Sequence, residues 1–304
     1  METSGYKAMI KFLLEKIYGF SSRVNVWSWQ KLYGNRKTGL GYERIPTSNI
    51  SLTNGLKDIR NGKKMKWNKR FEYPKSQRSL IQGKRHYDIG HTKLPSVTTI
   101  LGATQSEEKK KALADWKARL GAQQSDRVRD IAAMRGPAMH TYLEGYVRGT
   151  GHKDLTSVGR EAEPMAKKII SDGLCDLNEI WGSEVTLYYP ELYAGATDVV
   201  GIYNGRESII DFKQTNKPKQ RGWITDYFTQ LGAYAMAHNY VYGTKIQAGV
   251  VLMCSKDGMF QKFESFDKEF VGFQHEFLRR CDQYYKNVPD AKDGQDTKND
   301  QKVQ

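Results

Sequence analysis

Asp198, Asp211 and Lys213 are the residues whose types and spacing could do chemistry, and they flank the dipeptide Asn204-Gly205. Asn-Gly between apolar runs is the strongest short-range signal for a two-residue type I′ hairpin turn. With that turn Tyr203 faces Arg206, so directly opposed residues have numbers that sum to 409, and Asp198 and Asp211 satisfy the sum. Their Cβ atoms are then expected about 5 Å apart on one face of the sheet. Lys213, two residues beyond Asp211, projects from the same face. Like charges directly opposed destabilise a sheet unless something compensates them. Val199, Val200, Ile202, Ile209, Ile210 and Phe212 are apolar on both faces, which predicts a sheet covered on both sides. Paired carboxylates in such a place need a cation, a shared proton or a water channel. A hard divalent cation is the economical answer, since Mg²⁺ takes oxygen ligands and retains several waters. Such an ion can activate water and neutralise charge on a phosphodiester, while a nearby Lys stabilises the developing anion or positions the nucleophile. The competing reading is an ordinary ion cluster at the end of a surface hairpin.

Two helices supply further candidates. His140 and Glu144 are spaced i, i+4 and share a helix face, and both are metal-ligand types. Gln230 and Tyr234 share a face of the helix that follows Lys213, although Tyr227, Leu231 and Tyr234 also suit a packed core.

The elements that must position these residues are legible from about residue 84. Arg85–Ile89 and Val97–Leu101 read as short strands or extended segments around Pro95. Thr104-Gln-Ser-Glu107 has the spacing of a capping box, with Leu113, Trp116 and Leu120 following at helical intervals. A second helix is expected from Pro137 to about Arg148, because Pro suits a first turn, and a third over 160–172. Strands follow at Glu184–Tyr189, Tyr193–Tyr203 and Arg206–Lys213, then a helix over 223–240. Strand 246–254, a turn at Lys256-Asp-Gly258, strand 259–264 and a helix over 267–286 complete the pattern.

The net charge of +14 is uneven: residues 1–90 hold 19 Lys+Arg against 6 Asp+Glu, a surplus of 13, leaving +1 for the remainder. A basic segment on a nearly neutral body suggests a polyanionic partner, or a solvated arm. Its aromatics (Trp27, Trp29, Tyr33, Trp67, Phe71 and Tyr73 among them) argue against a purely disordered arm. The expected organisation is a basic N-terminal extension over 1–83, one α/β domain over 84–288 and a polar, disordered tail over 289–304. Three scattered cysteines, Cys175, Cys254 and Cys281, point to a reducing compartment and exclude a disulfide framework or a Cys-rich metal site. No apolar run reaches the roughly 20 residues of a membrane span. No secretory signal is evident, so a cytoplasmic protein is expected. A mitochondrial destination stays open because residues 7–37 are basic and partly amphipathic, although Glu2 and Glu15 weigh against it.

In chain order the motifs read Gly136-Pro-Ala-Met-His140-Thr-Tyr-Leu-Glu144, Gly195-Ala-Thr-Asp198, Asp211-Phe-Lys213 and Gln230-Leu-Gly-Ala-Tyr234. This series resembles the RecB-like branch of the PD-(D/E)xK nuclease superfamily. Upstream, Leu94-Pro-Ser-Val-Thr-Thr-Ile-Leu101 followed by Trp116-Lys looks like the phage exonucleases and the mitochondrial genome-maintenance exonucleases of that superfamily. The resemblance implies a restriction-endonuclease-like α/β core, a mixed central sheet flanked by helices. It implies Mg²⁺ or Mn²⁺, one or two ions, held by Asp198 and Asp211 with His140 and Glu144 at the metal site and the Phe212 carbonyl as a further ligand. Lys213 is implied as catalytic together with Asp198, Asp211 and Glu144, while Gln230 and Tyr234 support the site or contact DNA. The proline of the family name is absent, Thr197 standing before Asp198. The implied activity is a metal-dependent DNA exonuclease acting on single-stranded or frayed ends in phage DNA metabolism. The helix over 106–120 and the basic extension are expected to guide the strand. A structure-specific endonuclease on the same core and a catalytically silent DNA-binding module are the alternatives, and a membrane partner is not expected.

Overall fold

The computed structural model describes residues 66–287, so most of the basic extension and the C-terminal tail lie outside the described residues. A three-stranded antiparallel sheet comes first: β1 (Gln77–Ile81), β2 (Lys84–Ile89) and β3 (Thr92–Pro95). Four helices follow: α1 (Val97–Ala103), α2 (Glu107–Leu120), α3 (Ala122–Arg148) and α4 (Ser157–Asp172). The central sheet runs in the order β4 (Leu177–Tyr189), β5 (Tyr193–Tyr203), β6 (Arg206–Thr215), β7 (Ala248–Ser255) and β8 (Phe260–Phe266). Between β6 and β7 lies α5 (Thr225–Tyr242), and α6 (Asp267–Asn287) follows β8. β6 and β7 are parallel and every other neighbouring pair is antiparallel, so the sheet is mixed.

Alternation along the strands explains the layers. Val199, Ile210, Phe212, Val250, Leu252 and Cys254 share one core with Met139 and Leu143 of α3 and Met165 and Ile169 of α4. Residues of opposite parity face α5 and α6: a Cβ on Gly249 would meet Phe270 of α6 and Leu231 of α5. The predicted mixed sheet flanked by helices is therefore observed, with both faces covered. The hairpin register is as expected too, with Tyr203 opposite Arg206 and Val199 opposite Ile210. Asn204 and Gly205 both have positive φ (46° and 77°), as a type I′ turn requires.

Four expectations are corrected. Val97–Leu101 is helical rather than extended: Pro95 ends β3, the Ser96 hydroxyl accepts the Thr99 N–H at 2.9 Å, and Val97, Ile100 and Leu101 bury one face. Packing of that face overrides the strand preference of β-branched residues. Thr104 does not open the next helix; its hydroxyl donates to the Ile100 carbonyl in closing α1, and Ser106 caps α2. Pro137 lies inside α3, which begins fifteen residues earlier at Ala122, because 122–136 remains helical and ties itself to β6 through Arg135. Finally, the folded body takes in residues upstream of 84. Trp67 Nε1 donates to Val147 O at 3.1 Å, Asn68 N donates to Ile180 O at 2.8 Å, and Phe71 packs edge-on against Trp181 at 5.5 Å.

β5 is pressed against the bulged edge strand β4, whose register shifts between Ile180 and Gly182. At Gly201 an added Cβ would fall 2.0 Å from the Glu179 carbonyl oxygen, a backbone atom that cannot swing aside. Gly201→Ala is expected to destabilise the fold by about 2 kcal/mol or more, the scale of overpacking in a close-packed interior. A shift of the urea midpoint at unchanged slope measures it; an unshifted midpoint would mean that β4 yields easily.

Candidate active site

The functional cluster forms where the central sheet departs from regular pairing. The β5–β6 ladder is regular to Val199 and Ile210. One step further the Asp198 carboxylate, through Oδ2, accepts the Phe212 N–H at 2.6 Å. An acidic side chain thus takes a backbone donor, leaving its other oxygen for a partner. That partner is His140 of α3, whose Nδ1 lies 3.1 Å from Asp198 Oδ1. His140 comes from the helix that packs its Met139 and Leu143 on the opposite face of the sheet, so it reaches Asp198 at this break in the ladder.

On β6, Asp211 is buried and in direct contact with the Lys213 ammonium, and Lys213 Nζ lies 5.2 Å from the centre of the Tyr227 ring. Lys213 is therefore held between a carboxylate and an aromatic face rather than loose in solvent.

Glu184, which the motif reading did not single out, completes the cluster. In the β4–β5 ladder Ser183 pairs with Val199 and Val185 with Thr197, which sets Glu184 opposite Asp198. Its φ is +53°, a conformation that L side chains rarely adopt and that costs of order 1–2 kcal/mol. His140, Glu184 and Asp198 each offer a ligand atom, all within 4.8 Å of one another. A signal for Glu184 was present in the sequence. A turn at Pro190-Glu191-Leu192 pairs Tyr189 with Tyr193, and the same bookkeeping carried back from there sets 184 against 198.

Glu184 on β4 thus faces Asp198 on β5, while Asp211, on the neighbouring β6, lies outside the group of three ligand atoms. Burial pushes Glu184 up to about 7, with Asp198 and Glu144 adding to it against the pull of His140. Burial also raises Asp211, which Lys213 offsets only in part. For Asp198 burial acts in the same direction but is outweighed by His140, Lys213 and the Phe212 N–H, leaving it below the usual carboxylate range. Burial alone would lower His140, and the Asp198 charge and hydrogen bond reverse that, to about 9. Two carboxyls raised chiefly by burial, Glu184 and Asp211, thus lie near one, Asp198, that is held charged by its partners. This oxygen-rich set with one imidazole fits a hard divalent ion such as Mg²⁺ or Mn²⁺.

The other candidate residues fall around the cluster. Glu144 shares the helix face of His140, pairs with Arg148 at 3.0 Å and lies outside the group of three ligand atoms. The Phe212 side chain packs into the core shared with α3, and its N–H serves Asp198. Gln230 Nε2 donates to the Tyr234 hydroxyl at 3.0 Å. The Tyr234 ring lies so close over β5 that a Cβ on Gly195 would meet its Cε1 at 2.6 Å. That contact accounts for a glycine three residues before Asp198.

No known-family profile matches the chain. The chain is similar to curated exonucleases. It is 28% identical over 208 residues to mitochondrial genome maintenance exonuclease 1 of Xenopus tropicalis, covering 64% of this chain and 58% of the relative. The mouse protein of that name is 28% identical over 222 residues (66% and 64%), and the human one 27% over 177 residues (54% and 50%). The chain thus spans less than two thirds of the length of the relatives it matches. A solved structure from Eubacterium rectale overlays on 54% of this chain and 68% of its own at 16% identity with a TM-score of 0.41, too loose to define a shared fold. The relatives support a nuclease family. Among the described residues no helix is long and apolar enough to cross a membrane.

If Glu184, Asp198 and His140 form one ion site, Glu184→Gln should weaken Mn²⁺ binding by at least about tenfold, since even outer partners of metal ligands typically matter that much. Calorimetric titration reads this directly. Unchanged Mn²⁺ affinity would remove Glu184 from the site.

Proposed function

We propose that the chain is a divalent-metal-dependent DNA exonuclease that hydrolyses phosphodiester bonds at single-stranded or frayed ends. The observation that carries this reading is the convergence of His140, Glu184 and Asp198, with Asp211 and Lys213 paired on the next strand. Two supports come from outside the geometry: the order of the motifs, and the exonuclease relatives. A role in phage DNA metabolism is part of this proposal, on the resemblance of Leu94–Leu101 to phage exonucleases, which the mitochondrial exonucleases share.

Glu184, Asp198 and Asp211, with His140 and the Phe212 carbonyl, would hold one or two Mg²⁺ or Mn²⁺ ions. Bound there, the metal supplies Lewis acidity toward a phosphoryl oxygen and makes hydroxide available from water at neutral pH. Everything else is the work of the chain. Lys213, fixed by Asp211 and Tyr227, keeps a positive charge where the phosphoryl oxygens gain negative charge, without reorganising as it develops. His140 orients Asp198 through Nδ1, and the Phe212 N–H fixes the same carboxylate from the other side. Glu144, in its pair with Arg148, adds negative field around Glu184 and acts in support of the site. Gln230 and Tyr234 seat α5 on β5 and so hold Asp198 in line. The bond broken is P–O and the bond formed joins phosphorus to the oxygen of water, giving a phosphate monoester and a free hydroxyl.

End-labelled linear DNA should be degraded with Mg²⁺ and left intact with EDTA, while circular single-stranded DNA of the same sequence survives both. Cutting of the circle would make the enzyme an endonuclease on the same core. Asp198→Asn should lower turnover by at least about a hundredfold, the scale of losing a group that stabilises the transition state, while still binding DNA. Near-normal turnover by that variant would overturn the assignment.

A further inference from the structure

The segment joining β6 to α5, residues 216–224, begins three residues after Lys213 and ends three residues before Tyr227, whose ring receives the Lys213 ammonium, so both of its ends lie next to strand and helix positions of the site. It is bonded along its length. Thr215 Oγ1 donates to Lys217 O at 2.9 Å, and Asn216 Oδ1 accepts a hydrogen bond from the buried Arg135. The Gln261 side chain of β8 bridges the backbone of Lys219, accepting its N–H at 2.8 Å and donating to its carbonyl at 2.9 Å. A 3-10 turn, Arg221–Ile224, closes with Trp223 N donating to Gln220 O at 3.0 Å. Arg221 is turned to its neighbours, pairing with Glu269 at 2.7 Å and lying 4.9 Å over the Phe228 ring.

What this bonded segment leaves outward is unusual in kind. Trp223 is 61% exposed, on a turn that begins at the charged Arg221. Lys217 and Lys219 stand nearby in sequence, and neither forms an ion pair among the described residues. An indole held out by a rigid turn loses little freedom on binding a flat partner. With two ammonium groups four and six residues before it that form no ion pair among the described residues, the partner whose chemistry matches both features is a polyanion carrying flat π-faces. Trp223 precedes Tyr227 by four residues, roughly 6–8 Å along a helical axis, so such a partner would run past Lys213.

We propose that Trp223 is a base-stacking subsite for single-stranded DNA, with Lys217 and Lys219 on the flanking phosphates. The assignment of DNA as the ligand rests on the nuclease reading, while the stacking itself can be tested without catalysis. Because every base has a π-face, the subsite grips the strand without reading its sequence.

The test measures binding by fluorescence anisotropy in EDTA, where no cleavage occurs. It uses full-length protein, an oligothymidylate of roughly 12 nucleotides (within the usual single-strand site sizes) and an abasic strand of equal length. Trp223→Ala is expected to weaken oligothymidylate binding by roughly 5- to 150-fold, the range of one base–aromatic stack. Trp223→Phe should retain most of the affinity, and Trp223→Ala should bind the abasic strand as the unsubstituted protein does. Lys217→Ala should reduce the salt slope by about 0.7, one single-strand phosphate contact, and Trp223→Ala should leave it unchanged. Equal oligothymidylate affinity with and without the indole would overturn the proposal, and would leave Trp223 as an anchor for a protein partner. An equal loss on the abasic strand would also overturn it, by assigning Trp223 to loop shape. Trp223-dependent binding without hydrolysis in Mg²⁺ would sink the nuclease reading and keep the subsite; hydrolysis indifferent to Trp223 would do the reverse.

Discussion

Negative charge held against negative charge inside a covered sheet is the constraint on which this structure turns. Two carboxylates about 5 Å apart repel by about 3 kcal/mol at an effective dielectric constant of 20, and here Glu184, Asp198 and Asp211 come from three neighbouring strands. A sheet would ordinarily reject that grouping, because its ladder hydrogen bonds are what hold the strands at that spacing. In this chain the conflict is relieved locally. Asp198 spends one oxygen on a backbone N–H and the other on His140. Asp211 takes Lys213. Glu184 sits at a backbone conformation that its residue type disfavours. The first two devices answer part of the repulsion, the third is a cost, and the remainder is a demand that a divalent ion would meet. Strain and unbalanced charge meet at the same few residues, which is the pattern of a site held ready for a ligand.

The β5–β6 hairpin register was legible because it depends on a single local fact, a two-residue turn with the positive φ values that Asn and Gly tolerate. Register then follows by counting, and counting does not care about the rest of the fold. The same count from the turn at 190–192 carries equal information about Glu184, but nothing in the neighbouring residue types drew attention to that turn. What local pattern could not carry was decided at long range. Val97–Leu101 has strand-forming residues, and becomes helical because Ser96 caps it and the Arg280 guanidinium, from α6, bonds Thr104 and the Leu101 carbonyl at its far end. Residues 66–83 have weak periodicity, yet they are drawn in by Trp67 and by Tyr73, whose hydroxyl lies 3.1 Å from Nε2 of the buried His238. Pro137 was misleading for a related reason: its missing N–H is tolerable mid-helix where neighbouring contacts hold the helix on both sides.

The four motifs, scattered over roughly a hundred residues, prove to be one mechanical object. Tyr234 lies on Gly195 and is bonded by Gln230, so α5 is seated on the strand that carries Asp198. Arg135, almost wholly buried, donates to Gln214 Oε1 at 2.9 Å, and Gln214 Nε2 donates back to Ala132 O at 3.0 Å. That reciprocal pair fixes α3, and with it His140, to the strand that carries Asp211 and Lys213. Gly136, one position from Arg135, leaves the Gln214 side chain ordinary contact room at 3.8 Å. A motif glycine and a motif histidine therefore answer to the same strand.

Polar clamps of this kind are a costly way to join elements, because a buried guanidinium left without partners would destabilise the fold far more than a misfitted leucine. Their advantage is directional. An apolar contact between α3 and β6 would tolerate sliding by a fraction of an ångström with little loss, whereas an amide that accepts from the Arg135 guanidinium and donates to the Ala132 carbonyl fixes distance and rotation together. The proposed metal site, whose acids would have to meet one ion within about half an ångström, needs that fixity more than it needs stability. The same logic extends to the segment after β6, where Gln261 grips the Lys219 backbone by both its N–H and its carbonyl. Polar side chains thus tie the chain just beyond Lys213 at two points, through Gln214 to α3 and through Lys219 to β8, so that the stretch following the site's lysine is fixed by directional bonds.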